Sequence, residues 1–339
     1  MSQFREILGQ SHIVNHLKKA IRTGRVSHAY LLTGEEKSGK RMIARTFTQA
    51  LLCEQRTADD EPCGRCASCI RVMNDAHPDV RTIAHEKPAS IRVPEIMNQV
   101  VSDAYLMPYE AAHKVYIIPD AHLMTVEAQN KLLKTLEEPP AYARFLLLAT
   151  HAEALLLTIR SRCIPLSVRA LEDTVLTDFL MRTMDLSPYR AKNAARFARG
   201  NCGRAKALAK DESFELRTRY ALQMMEQLGE SAIYEIHDRL KEIGEQSEDE
   251  RSAREELMGL IRLLIRDILV YKATQSREHL ILEERWEYIR DVALHATYRD
   301  LITAERALTS ARERLEANVN AQLTVDMMLL RARDTLKRT

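Results

Sequence analysis

The 339-residue sequence predicts an α/β chain: a parallel sheet covered by helices on both faces, followed by regions built from helices alone. Three observations predict it. Short, uniformly apolar runs alternate with amphipathic helical segments through the first half, which is the signature of strands joined by helical crossovers. A glycine-containing phosphate-loop pattern follows the first of those runs and opens a helix. Beyond Pro165 the strand-like runs stop while helical periodicity continues to the end.

In chain order, Ile13, Val14, Leu17 and Ile21 lie at helical spacing before the first strand, His28 to Thr33. The loop is Gly34-Glu35-Glu36-Lys37-Ser38-Gly39-Lys40-Arg41, a G-x4-G-K frame. In a working Walker A loop the backbone N–H groups cradle phosphate, the lysine reaches the β/γ oxygens, and a Ser or Thr hydroxyl ligates Mg²⁺. Arg41 stands where that hydroxyl belongs, and a guanidinium offers a cation no lone pair. Gly34, Gly39 and Lys40 can still hold a phosphate, whereas Mg²⁺ chemistry is impaired. Met42, Ile43, Phe47, Ala50 and Leu51 then recur as a helix.

Pro78 to Ile83 reads as a second strand, and Ile96, Val100, Val101 and Ala104 mark a helix. Lys114 to Ile118 is the strand that would carry a Walker B motif, ending in two acids that manage Mg²⁺ and the attacking water. It ends instead in Pro119-Asp120-Ala121-His122. Pro119 cannot bind a metal. Asp120 either caps the turn or takes the second acidic position with a shorter arm than Glu. Ala128, Leu132, Leu133 and Leu136 form the next helix, stopped by Glu138-Pro139-Pro140, and Phe145 to Thr150 is a further buried strand.

After Pro165, Asp173 to Met184 reads as a helix. Ser187-Pro188 starts another with an N-cap and a first-turn proline, and Gly200 ends it. A short helix over Gly203 to Ala209 follows. From about residue 212 the chain is nearly free of Gly and Pro, with runs such as Leu257, Leu260, Ile261, Leu264, Ile265 and Ile268; Glu245 to Arg254 reads as a solvated turn.

Cys53, Cys63, Cys66 and Cys69 fall within one short segment. Four thiolates at that spacing can close a tetrahedron around Zn²⁺, and with no base or further ligand nearby the site would be structural. A disulfide pair and unliganded thiols are the rival readings. The polar N-terminus lacks the apolar core of a signal peptide, and no apolar run approaches bilayer length, so a cytoplasmic location with no membrane contact is expected. Reduced thiols follow from that location and disfavour the disulfide. Cys163 and Cys202 are isolated and read as packing residues. A formal charge of only +2 provides no overall field toward nucleic acid. Arg56, Arg65 and Arg71 flank the cysteines, but so do Glu54, Asp59, Asp60 and Glu61, which argues against a zinc-dependent DNA-binding face.

Ser27 to Leu32, Leu132 to Pro140 and Thr158-Ile159-Arg160-Ser161-Arg162-Cys163 resemble blocks of the bacterial DNA polymerase III clamp loaders of the AAA+ class, most of all its delta-prime branch. The resemblance covers about the first 210 residues with specific motifs. It implies an AAA+ P-loop domain with a zinc module at 53–69 (1–166), a helical lid (167–210) and an all-α collar for oligomerisation (211–339). It makes Arg162 an arginine finger acting in trans on a neighbour's ATP, Thr150 a sensor-1 position, and Arg204 a sensor-2 position that is either structural or phosphate-contacting. ATP or ADP can be held but is not required. The implied partners are gamma/tau motor subunits and a delta subunit, with the sliding clamp and primed DNA reached through the complex. A degraded nucleotide site beside an intact Ser-Arg-Cys implies little or no intrinsic ATPase; the alternative is an active gamma/tau-type motor.

Overall fold

In the computed structural model, which describes residues 3–84, 90–211, 214, 218, 219, 222, 223, 226, 250–317 and 319–336, the chain divides into two compact units, Met1–Lys210 and Asp211–Thr339.

The first unit holds a five-stranded sheet of β1 (Ala29–Thr33), β2 (Val80–Thr82), β3 (Lys114–Ile118), β4 (Ala143–Ala149) and β5 (Ile164–Ser167), all paired in parallel in the order β2-β3-β4-β1-β5. β3 and β1 have little side-chain exposure because helices cover both faces. Tyr116, Ile118, Phe145 and Leu147 enter one core with α4 (Val93–Ile96) and α5 (Val126–Glu137). Val115, Ile117, Leu146 and Leu148 enter the other with α1 (Ser11–Arg22) and α2 (Lys40–Leu52). Successive residues of one strand thus feed opposite cores, which is why the runs are apolar at every position and do not alternate. In α2, Ile43, Phe47 and Ala50 are buried as expected, while Met42 turns to solvent.

β5 departs from the sequence reading, which ended strands before it. Its four residues include Pro165 and bury one side chain, Leu166, so neither length nor apolar pattern marks it. The proline is tolerated because β5 is an edge strand with β1 on one side only. The helix expected over Ile96 to Ala104 forms: α4 continues through a π-helical turn, Met97–Val101, into Ser102–Ala104.

Three helices complete this unit: Asp173–Met184, and the alanine-rich Pro188–Ala198 and Cys202–Lys210. They share a small core of Leu176, Leu180, Ala191, Ala194, Ala195, Ala198 and Ala205. Ser187 caps the second of them by accepting from the Arg190 N–H, as its position suggests. Gly200 has φ +79°, and a Cβ there would sit 2.7 Å from the Leu171 backbone.

The second unit is helical in its described residues, with Glu250–Thr274, Trp286–His295, Tyr298–Glu316 and Ala321–Leu336. Leu257, Leu260, Ile261, Leu264, Ile265 and Ile268 form the buried face of the first of these. The turn expected over Glu245 to Arg254 is corrected in its second half: from Glu250 the chain is already helical, and 245–249 lie outside the described residues. Asp267 is buried and accepts from the Ile281 and Leu282 N–H groups, which ties the turn after this helix back onto it. Among the described residues no helix is long and apolar enough to cross a membrane.

Asp79, at the start of β2, is buried and accepts from the N–H groups of Tyr109, Glu110 and Ala111 at 2.5, 2.9 and 2.9 Å. Burial alone pushes its carboxyl up, but the three donors and nearby His77 outweigh that and hold it below the usual carboxylate range. A depressed folded pKa contributes stability that is present above the unfolded value of about 4 and fades as pH falls through the folded one. Asp79→Ala should therefore cost about 2–4 kcal/mol in urea melts at pH 7. The gap to the parent should narrow below about pH 4; a gap independent of pH would show that the carboxylate charge is not what fastens the 109–111 loop.

Candidate functional site

β1, β3 and β4 release the chain at the carboxyl edge of the sheet, where ligands of open α/β sheets bind. Gly34 follows β1 with φ +152°, and a Cβ there would meet Val168 Cβ at 3.0 Å and its carbonyl at 3.2 Å. Gly39, with φ +100°, turns the chain into α2. Lys40 is the first residue of that helix, and its ammonium folds back to donate to the Gly34 and Glu35 carbonyls at 2.5 and 2.6 Å. Burial lowers the Lys40 pKa against the opposing pull of Asp120, Glu36 and Glu35.

Arg41 is exposed and lines a cleft of about 320 Å³ with Arg45, Asp75, Ile117, Pro119 and Asp120. Arg45 is held by both oxygens of Asp75, at 2.7 and 2.6 Å. The two positions that would hold a cation thus face one cleft as a guanidinium and a pyrrolidine, and neither fits a metal. Asp120 has left-handed backbone geometry (φ 52°) and makes no side-chain cap to the turn after it; its charge faces Lys40 and His122. Thr150, just beyond β4, bonds the His151 ring at 2.7 Å, and that ring lies 5.6 Å from the ring of His122.

The loop is also clasped from the helical segment. Asn201 Nδ2 donates to the Glu36 carbonyl at 2.7 Å while its Oδ1 caps the following helix at the Arg204 N–H. The Gly203 N–H donates to the Lys37 carbonyl at 3.1 Å, and a Cβ on Gly203 would collide with that oxygen. Arg204 itself is exposed. Asn201 and Gly203 were not singled out from sequence; the only available signal was the closeness of Gly200 and Gly203 at a helix start.

Arg162 lies elsewhere. Ile164 pairs with Tyr30 at the entrance of β5, so Arg162, two residues earlier, sits at the amino edge of the sheet. The loop leaves β1 at the other edge, and a five-residue strand spans about 16 Å. The Arg162 side chain is 34% exposed; Nη2 pairs with Glu137 Oε1 at 2.6 Å and Nη1 donates to the Thr158 carbonyl at 2.8 Å. The structure therefore brings Gly34, Gly39, Lys40, Asp120 and Thr150 to one edge and sets Arg162 apart from them.

Cys53 closes α2, while Cys66 and Cys69 belong to the cap and body of α3 (Ala67–Met73). The four sulfurs lie within 4.8 Å of one another, and Cys63 and Cys69 are 4.0 Å apart. A tetrahedral site with metal–sulfur bonds of about 2.3 Å separates its sulfurs by about 3.8 Å, so the cluster fits a metal ion closely. Backbone N–H groups of Cys63, Cys66 and Cys69 donate to the sulfurs of Cys53, Cys63 and Cys66 at 3.3, 3.3 and 3.4 Å, which favours thiolates. Burial pushes Cys53 and Cys69 up; at Cys63 the donors outweigh burial and leave it at about 6. Two of the acids beside the cluster are used internally. Glu61 pairs with Lys18 at 2.7 Å and accepts from the Phe4 N–H, and Asp60 pairs with Arg22 at 2.7 Å. The cysteine segment is thereby fastened to α1. Cys163 is buried in the sheet core, and Cys202 packs half-buried beside the alanine core.

Comparison with known proteins relates the chain to one group of proteins. Residues 9–172 match the family model described as DNA polymerase III, delta subunit, and residues 221–334 match DNA polymerase III, delta subunit, C terminal. The chain is 28% identical to Bacillus subtilis DNA polymerase III subunit delta' over 325 residues, covering 95% of each protein. It is 32% identical over 203 residues to DNA polymerase III subunit gamma of Buchnera aphidicola from Acyrthosiphon pisum, covering 58% of this chain and 55% of that one. Among solved structures, a DNA polymerase III gamma subunit-related protein of Thermotoga maritima aligns with TM-score 0.46 and 18% identity, covering 95% of this chain and 99% of that one.

The cysteine geometry predicts about one divalent ion per chain held by four thiolates. Cobalt-loaded protein should show intense thiolate charge-transfer absorption, and Cys63→Ser should weaken it and lower the melting temperature. Reduced protein that takes up no metal would remove the site.

Proposed function

The chain belongs to the DNA polymerase III delta-subunit family of AAA+ clamp-loader proteins, and from that premise we propose that it is the delta-prime-like, largely non-hydrolysing subunit of its loader. In this reading it supplies Arg162 to the ATP site of a neighbouring gamma/tau motor while the assembly loads the sliding clamp onto primed DNA. One observation carries the reading: the finger stands at the amino edge of its own sheet while its own phosphate loop stands at the carboxyl edge. An arginine so placed cannot reach its own loop without unfolding β5. It is well placed for another chain's, where a guanidinium neutralises the charge spreading over the transferred phosphoryl oxygens.

The chain's own loop would be vestigial or hold an idle ATP or ADP through Gly34, Gly39 and Lys40, with Asp120, Thr150 and Arg204 around it. Phosphate oxygens would have to displace the Gly34 and Glu35 carbonyls from Lys40. Arg41 and Pro119 leave magnesium without its usual oxygens, which supports binding without turnover. Zinc is the metal proposed for Cys53, Cys63, Cys66 and Cys69, because thiolate softness and tetrahedral spacing suit it and its fixed valence suits a structural clip. The 1–166, 167–210 and 211–339 segments would serve as AAA+ module, lid and oligomerising collar beside motor and delta subunits, in the cytoplasm.

The identity to gamma over part of the chain favours a second reading, an active motor. Two measurements separate them. The purified chain, alone or with DNA, should show no ATP hydrolysis that Lys40→Ala abolishes; such activity would support the motor. In the reconstituted loader, Arg162→Ala should remove catalysis at the neighbouring site by about 10³-fold or more and cut total turnover by that site's share. Unchanged turnover would remove the finger assignment.

A further inference from the structure

Glu137 falls within the Leu132 to Pro140 block but has been given no role so far, yet it holds the one side chain on which the proposed activity turns. It is the last residue of α5, a different element from the one that carries Arg162, and its Oε1 lies 2.6 Å from Nη2. The opposite side of the guanidinium is tied to backbone, through Nη1 to the Thr158 carbonyl at 2.8 Å. Both partners are half-exposed, at 34% for Arg162 and 46% for Glu137, so the pair can open without disturbing a core.

The geometry points to Glu137 as a positioning residue that parks Arg162 until a triphosphate is presented by the neighbouring subunit; this rests on the finger reading above. The two bonds differ in what insertion requires of them. The Thr158 carbonyl is neutral and can stay bonded while the remaining N–H groups reach outward. The Glu137 carboxylate is an anion, and keeping it on the guanidinium would bring it close to the γ-phosphoryl oxygens, which repel it. The carboxylate must therefore be exchanged for phosphate. Glu137 competes with ATP for one guanidinium, setting the ATP concentration at which the finger engages and not the rate once engaged. An exposed ion pair is a weak competitor, so the expected effect is modest, about two- to five-fold.

The test is steady-state ATP hydrolysis by the loader reconstituted from this chain with its motor and delta subunits. Glu137→Gln keeps the shape and removes the charge at an exposed position, and a thermal melt matching the parent will confirm its fold. It should lower KM for ATP about two- to five-fold with kcat unchanged. Raising salt should move the parent's KM toward that of the variant, because screening weakens the same pair. In an Arg162→Ala background the Glu137→Gln effect should vanish. If Arg162→Ala cuts turnover but Glu137→Gln leaves KM unchanged, raises it, or lowers kcat, the parking role fails while the finger stands. If Arg162→Ala changes nothing, both fail. A Glu137→Gln effect that persists without Arg162 would show an unrelated structural origin and also overturn the role.

Discussion

The parallel pairing of β1 with β4 on one side and β5 on the other is the constraint on which the rest depends. Parallel strands share one direction, so every loop that leaves them gathers at one edge and every segment that enters them gathers at the other. The register fixes which residues fall where. Thr33 lies opposite Ala149 and Ser167, which brings Gly34, Thr150 and Val168 together at the exit. Tyr30 lies opposite Ile164, which leaves Arg162 at the entrance, near the end of α5. A residue slip in either pairing would invert the two cores and scatter both groups.

At the exit edge, electrostatics decides what the site can do. A phosphate loop needs positive charge, and this one has it in Lys40 and Arg41. A hydrolytic site needs, in addition, an ion that bridges phosphate and protein oxygens. After β3 stands Asp120 in place of two acids, with Pro119 beside it and Arg41 where a hydroxyl belongs, and the cleft's other acid, Asp75, is paired with Arg45. Adding cationic side chains compensates phosphate charge but does not replace the ion, because a guanidinium has fixed planar donors and cannot take up octahedral oxygen geometry.

The parts legible in sequence were those in which one segment carries its own signal. β1, β3 and β4 bury both faces and so read as unbroken apolar runs; α1, α2, α5 and the three helices between Asp173 and Lys210 read from period and caps; the cysteines read from spacing. β5 was missed because an edge strand of four residues with a proline buries a single side chain and has no pattern to show. The start of the Glu250 helix was hidden by charge, since Glu and Arg serve a solvated turn and an exposed helical face equally well. At the site, Lys40 and Arg162 were legible as motif members. Asn201, Gly203 and the pairing of Glu137 with Arg162 were not. Their significance lies in partners far away in sequence, as with Asn201 and Glu36, and no local pattern announces such a pairing.

Gly34 and Gly203 have a packing role that needs no nucleotide. At Gly34 a side chain would press on Val168 and Ser38, and the backbone adopts a φ that residues with a Cβ rarely accept. At Gly203 a side chain would strike the loop itself at Lys37. The carbonyls of Gly34, Glu35, Glu36 and Lys37 are each taken up, by Lys40, Asn201 and the Gly203 N–H. The loop serves as a joint that seats a helix, and its lysine closes the joint from within. Packing thus depends on these two glycines whether or not a phosphate is bound.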